Sequence, residues 1–119
     1  MDAGTVVQRE AGKGLTVRGQ VVPSEEFFQD HFPGFPVLPG VLMIEILRQS
    51  AAQYYPQADL RLAEIKNVRF ANFLKPGQAW ESRLEFLSGD ENLSEWKGQL
   101  LSDGKPVCSA RFKLQKDSK

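Results

Sequence analysis

The sequence predicts an α+β fold, one long helix set among five or six antiparallel strands. Two observations carry this. The run from Gly40 to about Tyr55 is apolar over most of a helical circumference, so most of it must be covered. The second half of the chain is a succession of alternating stretches separated by turn residues, the pattern of half-buried strands. A curved sheet wrapped around a single helix satisfies both. At 119 residues, with 41% hydrophobic residues, the chain is sized for one domain over 1–119 with one core.

Taken in order, "TVVQR" (5–9) and "LTVRGQVV" (15–22) are β-rich and meet at "EAGKG", which reads as a hairpin. A Pro/Gly-rich loop follows over 29–39. Pro39-Gly40 opens the helix, and Pro56 stops it after about Tyr55, a span of roughly 24 Å at 1.5 Å per residue. "LAEIKNVRFA", "AWESRLEFL", "SEWKGQLL" and "VCSARFKL" supply the remaining strands. In the second of these, Trp80, Ser82, Leu84 and Phe86 alternate with Glu81, Arg83 and Glu85. "SGDEN" and "SDGK" are turn signals, and the polar "QKDSK" at the end is expected to fray.

Charge and cysteine content narrow the function classes. Fifteen Lys and Arg balance fifteen Asp and Glu. That argues against bulk electrostatic binding to nucleic acid or to an anionic membrane. A single cysteine, Cys108, excludes an internal disulfide and a cysteine-built zinc site, and fits a reducing cytoplasm. No signal-peptide pattern opens the chain, and the longest apolar run, "VLMI", is too short to span a bilayer.

On a helical wheel, Val41, Glu45, Arg48, Gln49 and Ala52 share one side, and Met43, Ile46, Leu47 and Tyr54 occupy the core side. A carboxylate and an amide one turn apart are costly to bury without partners. The first side therefore faces water along a narrow stripe, or an interface, or a cavity; periodicity does not choose. His31 is the only histidine. Its loop holds Pro33, Pro36 and Pro39, which restrict φ, and Gly34, which permits tight approach. Such a loop is a stiff connector or a rigid mount for a positioned group.

The stretch "HFPGFPVLPGVLMIE", with Gln49 four residues beyond Glu45, resembles the signature of the FabZ-type (3R)-hydroxyacyl-acyl-carrier-protein dehydratases. The likeness extends through "FFQDHF", "VRFANFLKPG" and "LLSDGKPVCSARF". Glu45 stands where the related decanoyl-dehydratase (FabA) branch has aspartate. The resemblance implies the hotdog fold and dehydration of (3R)-hydroxyacyl thioesters on acyl carrier protein to trans-2-enoyl thioesters. It implies a homodimer with His31 of one protomer and Glu45 of the other as the catalytic pair; whether such dimers stack into a hexamer is not readable from the sequence. It implies backbone N–H groups of Gly40 and Val41 around the thioester oxygen, and Gln49 as the residue that orients the acid, holds a water or bonds across the interface. No metal or organic cofactor is implied, the substrate riding on the carrier's phosphopantetheine.

The chemistry suits these residue types. A neutral imidazole is a base for the C2 proton near neutral pH. A carboxyl whose pKa is raised by burial is an acid for the departing hydroxyl. Phe35, Leu38 and Phe73 are candidates for the acyl tunnel. Arg48, Lys66, Arg69 and Lys75 are candidates for docking the acidic carrier.

Four departures from the family pattern stand out. The chain opens directly at its first strand, without a His-Arg-Tyr-Pro-like loop. Phe35 occupies a position that is often lysine. "FANFLKPGQ" replaces a more basic stretch. Arg48 takes the place of a small residue, where it either favours ionised Glu45 or reaches outward to phosphopantetheine or carrier. These departures point to a specialised member serving a secondary pathway, such as aryl polyene or polyketide assembly, and not housekeeping fatty-acid synthesis. Acyl thioesterase activity on the same fold, and a non-catalytic carrier-binding module, are the competing expectations.

Overall fold

A computed structural model describes residues 4–21, 40–75 and 77–117. Six strands, β1 (Thr5–Glu10), β2 (Gly14–Gln20), β3 (Leu60–Phe70), β4 (Ala79–Gly89), β5 (Leu93–Ser102) and β6 (Lys105–Lys116), form one sheet in the order β1-β2-β4-β5-β6-β3. Every neighbouring pair is antiparallel. Helix α1 (Gly40–Ala52) lies against the inner face of β2 through β6.

Turn chemistry sets the hairpins. Asp103 and Gly104 link β5 to β6 with φ of 52° and 74°. Positive φ at both positions is what a tight type I′ turn requires, and Asp-Gly supplies it at little cost. Between β4 and β5, Asp90 Oδ1 accepts hydrogen bonds from the backbone N–H of Asn92 (2.9 Å) and Leu93 (3.2 Å).

The core forms where the two periodicities meet. Met43, Ile46, Leu47 and Tyr54 are buried, as the wheel predicts, together with Leu84, Trp96, Leu100, Phe112 and Leu114 from the sheet. Burying an Ile, Leu or Phe side chain of this kind contributes roughly 1.5–3 kcal/mol. Gly98 leaves little room for a side chain. A Cβ there would sit 3.1 Å from Leu84 and Phe112 and 3.2 Å from Leu47. The helix therefore approaches the sheet closely at this point.

Three expectations need correction. The helix ends at Ala52, about three residues early, because the backbone tightens: Gln53, Tyr54 and Tyr55 donate to the carbonyls three residues back. The thirteen helical residues span about 20 Å. Within "QKDSK", Gln115 and Lys116 belong to β6 and the Asp117 N–H bonds the Asp59 carbonyl, while residues 118–119 lie outside the described residues. Finally, β2 ends at Gln20. No helix among the described residues is long and apolar enough to cross a membrane.

Candidate active site

Glu45 sits on the side of α1 turned away from the buried stripe. Its side chain is 35% exposed and that of Arg48 25%. The side that periodicity left open is thus half-buried at Glu45, Arg48, Gln49 and Ala52, and open only at Val41, which is 73% exposed.

The carboxylate is held from its own helix. Arg48 Nε donates to Oε1 (2.9 Å) and Oε2 (3.0 Å), Arg48 Nη2 donates to Oε1, and Gln49 Nε2 donates to Oε1 (3.2 Å). Spacings of three and four residues place both donors one turn beyond Glu45. The other arm of the guanidinium, Nη1, donates to the Leu60 carbonyl at the start of β3 (2.8 Å). Oε1 therefore receives three donors, whereas Oε2 receives one and keeps lone-pair capacity. Gln49 Oε1 is buried without a hydrogen-bond partner among the described residues.

Of the two influences expected on Glu45, burial and Arg48, the second prevails. Burial by itself would raise its pKa and favour the neutral acid. The Arg48 hydrogen bonds outweigh burial, with the Arg48 charge and the Gln49 amide adding to them, and hold the carboxyl below its ordinary range. Arg48 is correspondingly pushed up, chiefly by its hydrogen bonds to Glu45.

At the helix N-terminus, Gly40 begins α1 and Val41 follows, so their N–H groups belong to the first turn, which lacks intrahelical acceptors. The glycine has a local reason: a Cβ at residue 40 would lie 2.9–3.0 Å from the Phe70 ring. Phe70, at the end of β3, is 55% exposed. Sequence reasoning named Phe73 and passed over Phe70; the signal was the "VRFANF" run, which holds both.

Phe73 lies at the surface, 60% exposed. Lys66, Arg69 and Lys75 are exposed on β3 and the loop after it, and Lys66 pairs with Glu64 at 4.0 Å. Arg48 stands apart from these, committed to Glu45 and Leu60. His31, Phe35 and Leu38, with the whole 29–39 loop, lie outside the described residues. A groove involving Gln8, Arg83, Glu85, Lys97 and Gln99 lies on the sheet face opposite α1 and contains none of these groups.

Comparison with known proteins gives this geometry its context. The family model of the ApeI dehydratases (ApeI-like) matches residues 7–110. The 3-hydroxyacyl-[acyl-carrier-protein] dehydratase FabZ of Pediococcus pentosaceus is 32% identical over 113 residues, covering 90% of this chain and 76% of the relative. The FabZ of Klebsiella pneumoniae is 35% identical, covering 88% and 75%. Among solved structures, the dehydratase heterocomplex ApeI:P from Xenorhabdus doucetiae superposes with a TM-score of 0.76 over 97% of this chain and 82% of that one, at 17% identity. A hypothetical thioesterase from Streptococcus pneumoniae, solved with coenzyme A, gives 0.70 over 97% and 86% at 11% identity. At those identities the structures establish the shared hotdog fold, whereas the sequence matches establish kinship. The chain belongs to the ApeI-like dehydratases, a family of hotdog enzymes akin to FabZ.

Proposed function

We propose that this single-domain protein removes water from (3R)-hydroxyacyl thioesters carried on acyl carrier protein, giving trans-2-enoyl thioesters, in fatty-acid synthesis or a related aryl polyene or polyketide-like pathway. The observation that carries this reading is Glu45: a carboxylate half-buried on the outer side of α1, with three donors on Oε1 and only one on Oε2, which keeps capacity to accept another.

The reaction breaks C2–H and C3–O and forms C2=C3. The His31 imidazole takes the C2 proton. Negative charge then grows on the thioester oxygen, where the first-turn N–H groups of Gly40 and Val41 oppose it. Glu45 Oε2 faces the C3 hydroxyl, and Gln49 steadies Oε1 while its own buried carbonyl oxygen accepts a bond from water or hydroxyl. No metal or organic cofactor takes part.

His31 and Glu45 act across a homodimer. The eleven-residue β3 lies at the sheet edge, and Val41, Val68, Phe70 and Phe73 are exposed in the protomer, which supports a covering partner. Lys66, Arg69 and Lys75 supply local positive charge for an acidic carrier on an otherwise neutral chain. The chain works in the cytoplasm, where such carriers are found.

The test is incubation of purified protein with a 3-hydroxyacyl carrier-protein thioester. Enoyl product supports the proposal; free acid signals a thioesterase, and binding without turnover a module. His31→Ala and Glu45→Gln should each lower enoyl formation by about 100-fold or more while leaving the dimer intact. Wild-type turnover in either variant refutes the pairing.

A further inference from the structure

We infer that Arg48 is a positioning residue for the dehydration: it fixes Glu45 as a carboxylate that presents Oε2 as a hydrogen-bond acceptor, and so excludes Glu45 as the resting proton donor. This rests on the functional reading above and deepens it.

The argument is geometric. Arg48 reaches Glu45 through Nε and Nη2 and is itself pinned through Nη1 to the Leu60 carbonyl. A guanidinium held at both ends is a fixed fork and not a swinging cation. The Arg48 and Gln49 donors fill Oε1 and a single Arg48 bond reaches Oε2, so the carboxyl plane and the remaining lone pair of Oε2 are set before any substrate arrives. Among the described residues, Arg48 is the charged group acting on Glu45. Asp59, on the turn before β3, acts on Arg48 and favours its charged form.

A carboxylate with this arrangement accepts the C3 hydroxyl hydrogen bond and orients the C3–O bond. The proton that leaves with the hydroxyl is then the one the base has taken from C2. C2–H and C3–O break, the C–H electron pair becomes the new π bond, and proton and hydroxide depart as water. The base returns to its starting state, so no outside proton donor is needed.

The experiment uses the full-length protein and the variants Arg48→Met and Arg48→Lys. Carbon-13 labelling of the glutamate carboxyls, with Glu45→Gln to assign the resonance, follows the Glu45 titration. The expected result is a midpoint below that of free glutamate in wild type, higher in Arg48→Met and intermediate in Arg48→Lys. An unchanged midpoint in Arg48→Met overturns the inference. In turnover of a 3-hydroxyacyl carrier thioester near pH 7, kcat should fall by about 100-fold in Arg48→Met, with little change in KM and partial rescue by lysine. Unchanged or faster turnover overturns it, because release of the clamp would then leave the reaction untouched or supply a better acid. Thermal melting separates a mere loss of the Leu60 tether, which would lower Tm without moving the carboxyl midpoint and would also count against the inference. An inactive wild type would sink the functional reading and Arg48's part in turnover, while the titration would still decide who sets the charge on Glu45.

Discussion

Arg48 and Glu45 are joined by three hydrogen bonds on adjacent turns of α1, and the same guanidinium bonds the Leu60 carbonyl of β3. The pair is therefore part of the helix–sheet contact as well as of the site.

That linkage gives stability a pH dependence of known sign. The folded-state pKa of Glu45 is lowered. Its contribution is fully present above the ordinary glutamate value, ~4.3, and is lost as pH falls through the lower folded value. The pair is partly solvated, so the effect is modest, under about 1 kcal/mol. Glu45→Gln should flatten this part of the acid limb in a series of thermal melts from pH 6 to pH 3. An identical acid limb in both proteins would contradict the lowered pKa.

Gly40 and Phe70 offer a separation of stability from activity. The ring atoms nearest a new Cβ are the far end of a half-exposed side chain, so Gly40→Ala should displace the ring at little structural cost. Alanine also favours helix, leaving the net stability change within about 1 kcal/mol. The added methyl and displaced ring crowd the first-turn N–H groups, and kcat/KM should fall by about ten-fold or more. A large drop in Tm with unchanged specific activity would reverse this assignment.

At the other end of the helix, the Tyr54 hydroxyl accepts a hydrogen bond from the Gly12 N–H in the β1–β2 turn. Its ring stacks near Phe86 (5.6 Å between centroids) and meets Trp96 edge-on (5.2 Å), with the Arg9 guanidinium 4.1 Å from its centroid. Tyr54→Phe keeps the ring contacts and removes the acceptor. The expected cost is about 1 kcal/mol, a fall of roughly 4 °C in Tm, with turnover unchanged because the ring lies beyond the helical turns that carry Glu45 and Arg48. Loss of activity at full stability would place Tyr54 in the site.

Cys108 is 2% exposed, and burial pushes its thiol up to about 11. On the order of one molecule in a thousand carries the thiolate at pH 8. An aromatic disulfide reagent should leave the native protein unlabelled over the time in which it titrates one thiol in denaturant. Rapid labelling of the folded chain would show the strand to be open at this point.

The sequence made the helix core face readable because Met43, Ile46, Leu47 and Tyr54 follow the helical period and the sheet offers one surface to meet it. The alternation of Trp80, Ser82 and Leu84 likewise identified β4's inner face, with its register interrupted only beyond Phe86, where the strand bulges. Strand order was not readable. β3 precedes β4 in sequence but lies at the sheet edge beside β6, separated from β4 by β5 and β6, a choice made by non-local pairing. The Arg48 clamp was half readable: spacing placed Arg48 beside Glu45, but nothing local aims the other guanidinium arm at a carbonyl twelve residues on. The Gly40–Phe70 contact was hidden for the same reason, since thirty residues separate its partners. The sequence offered two influences on the Glu45 carboxyl, burial and Arg48, and only the folded geometry shows the second to prevail.

Strand β3 meets α1 at two places, Leu60 under Arg48 and Phe70 over Gly40. It acts as a splint along the helix. A sideways or lengthwise shift of that one outermost ribbon would jostle the guanidinium at one end and the ring at the other. A partner seated along that border would therefore bear on the carboxylate through the guanidinium, without touching it.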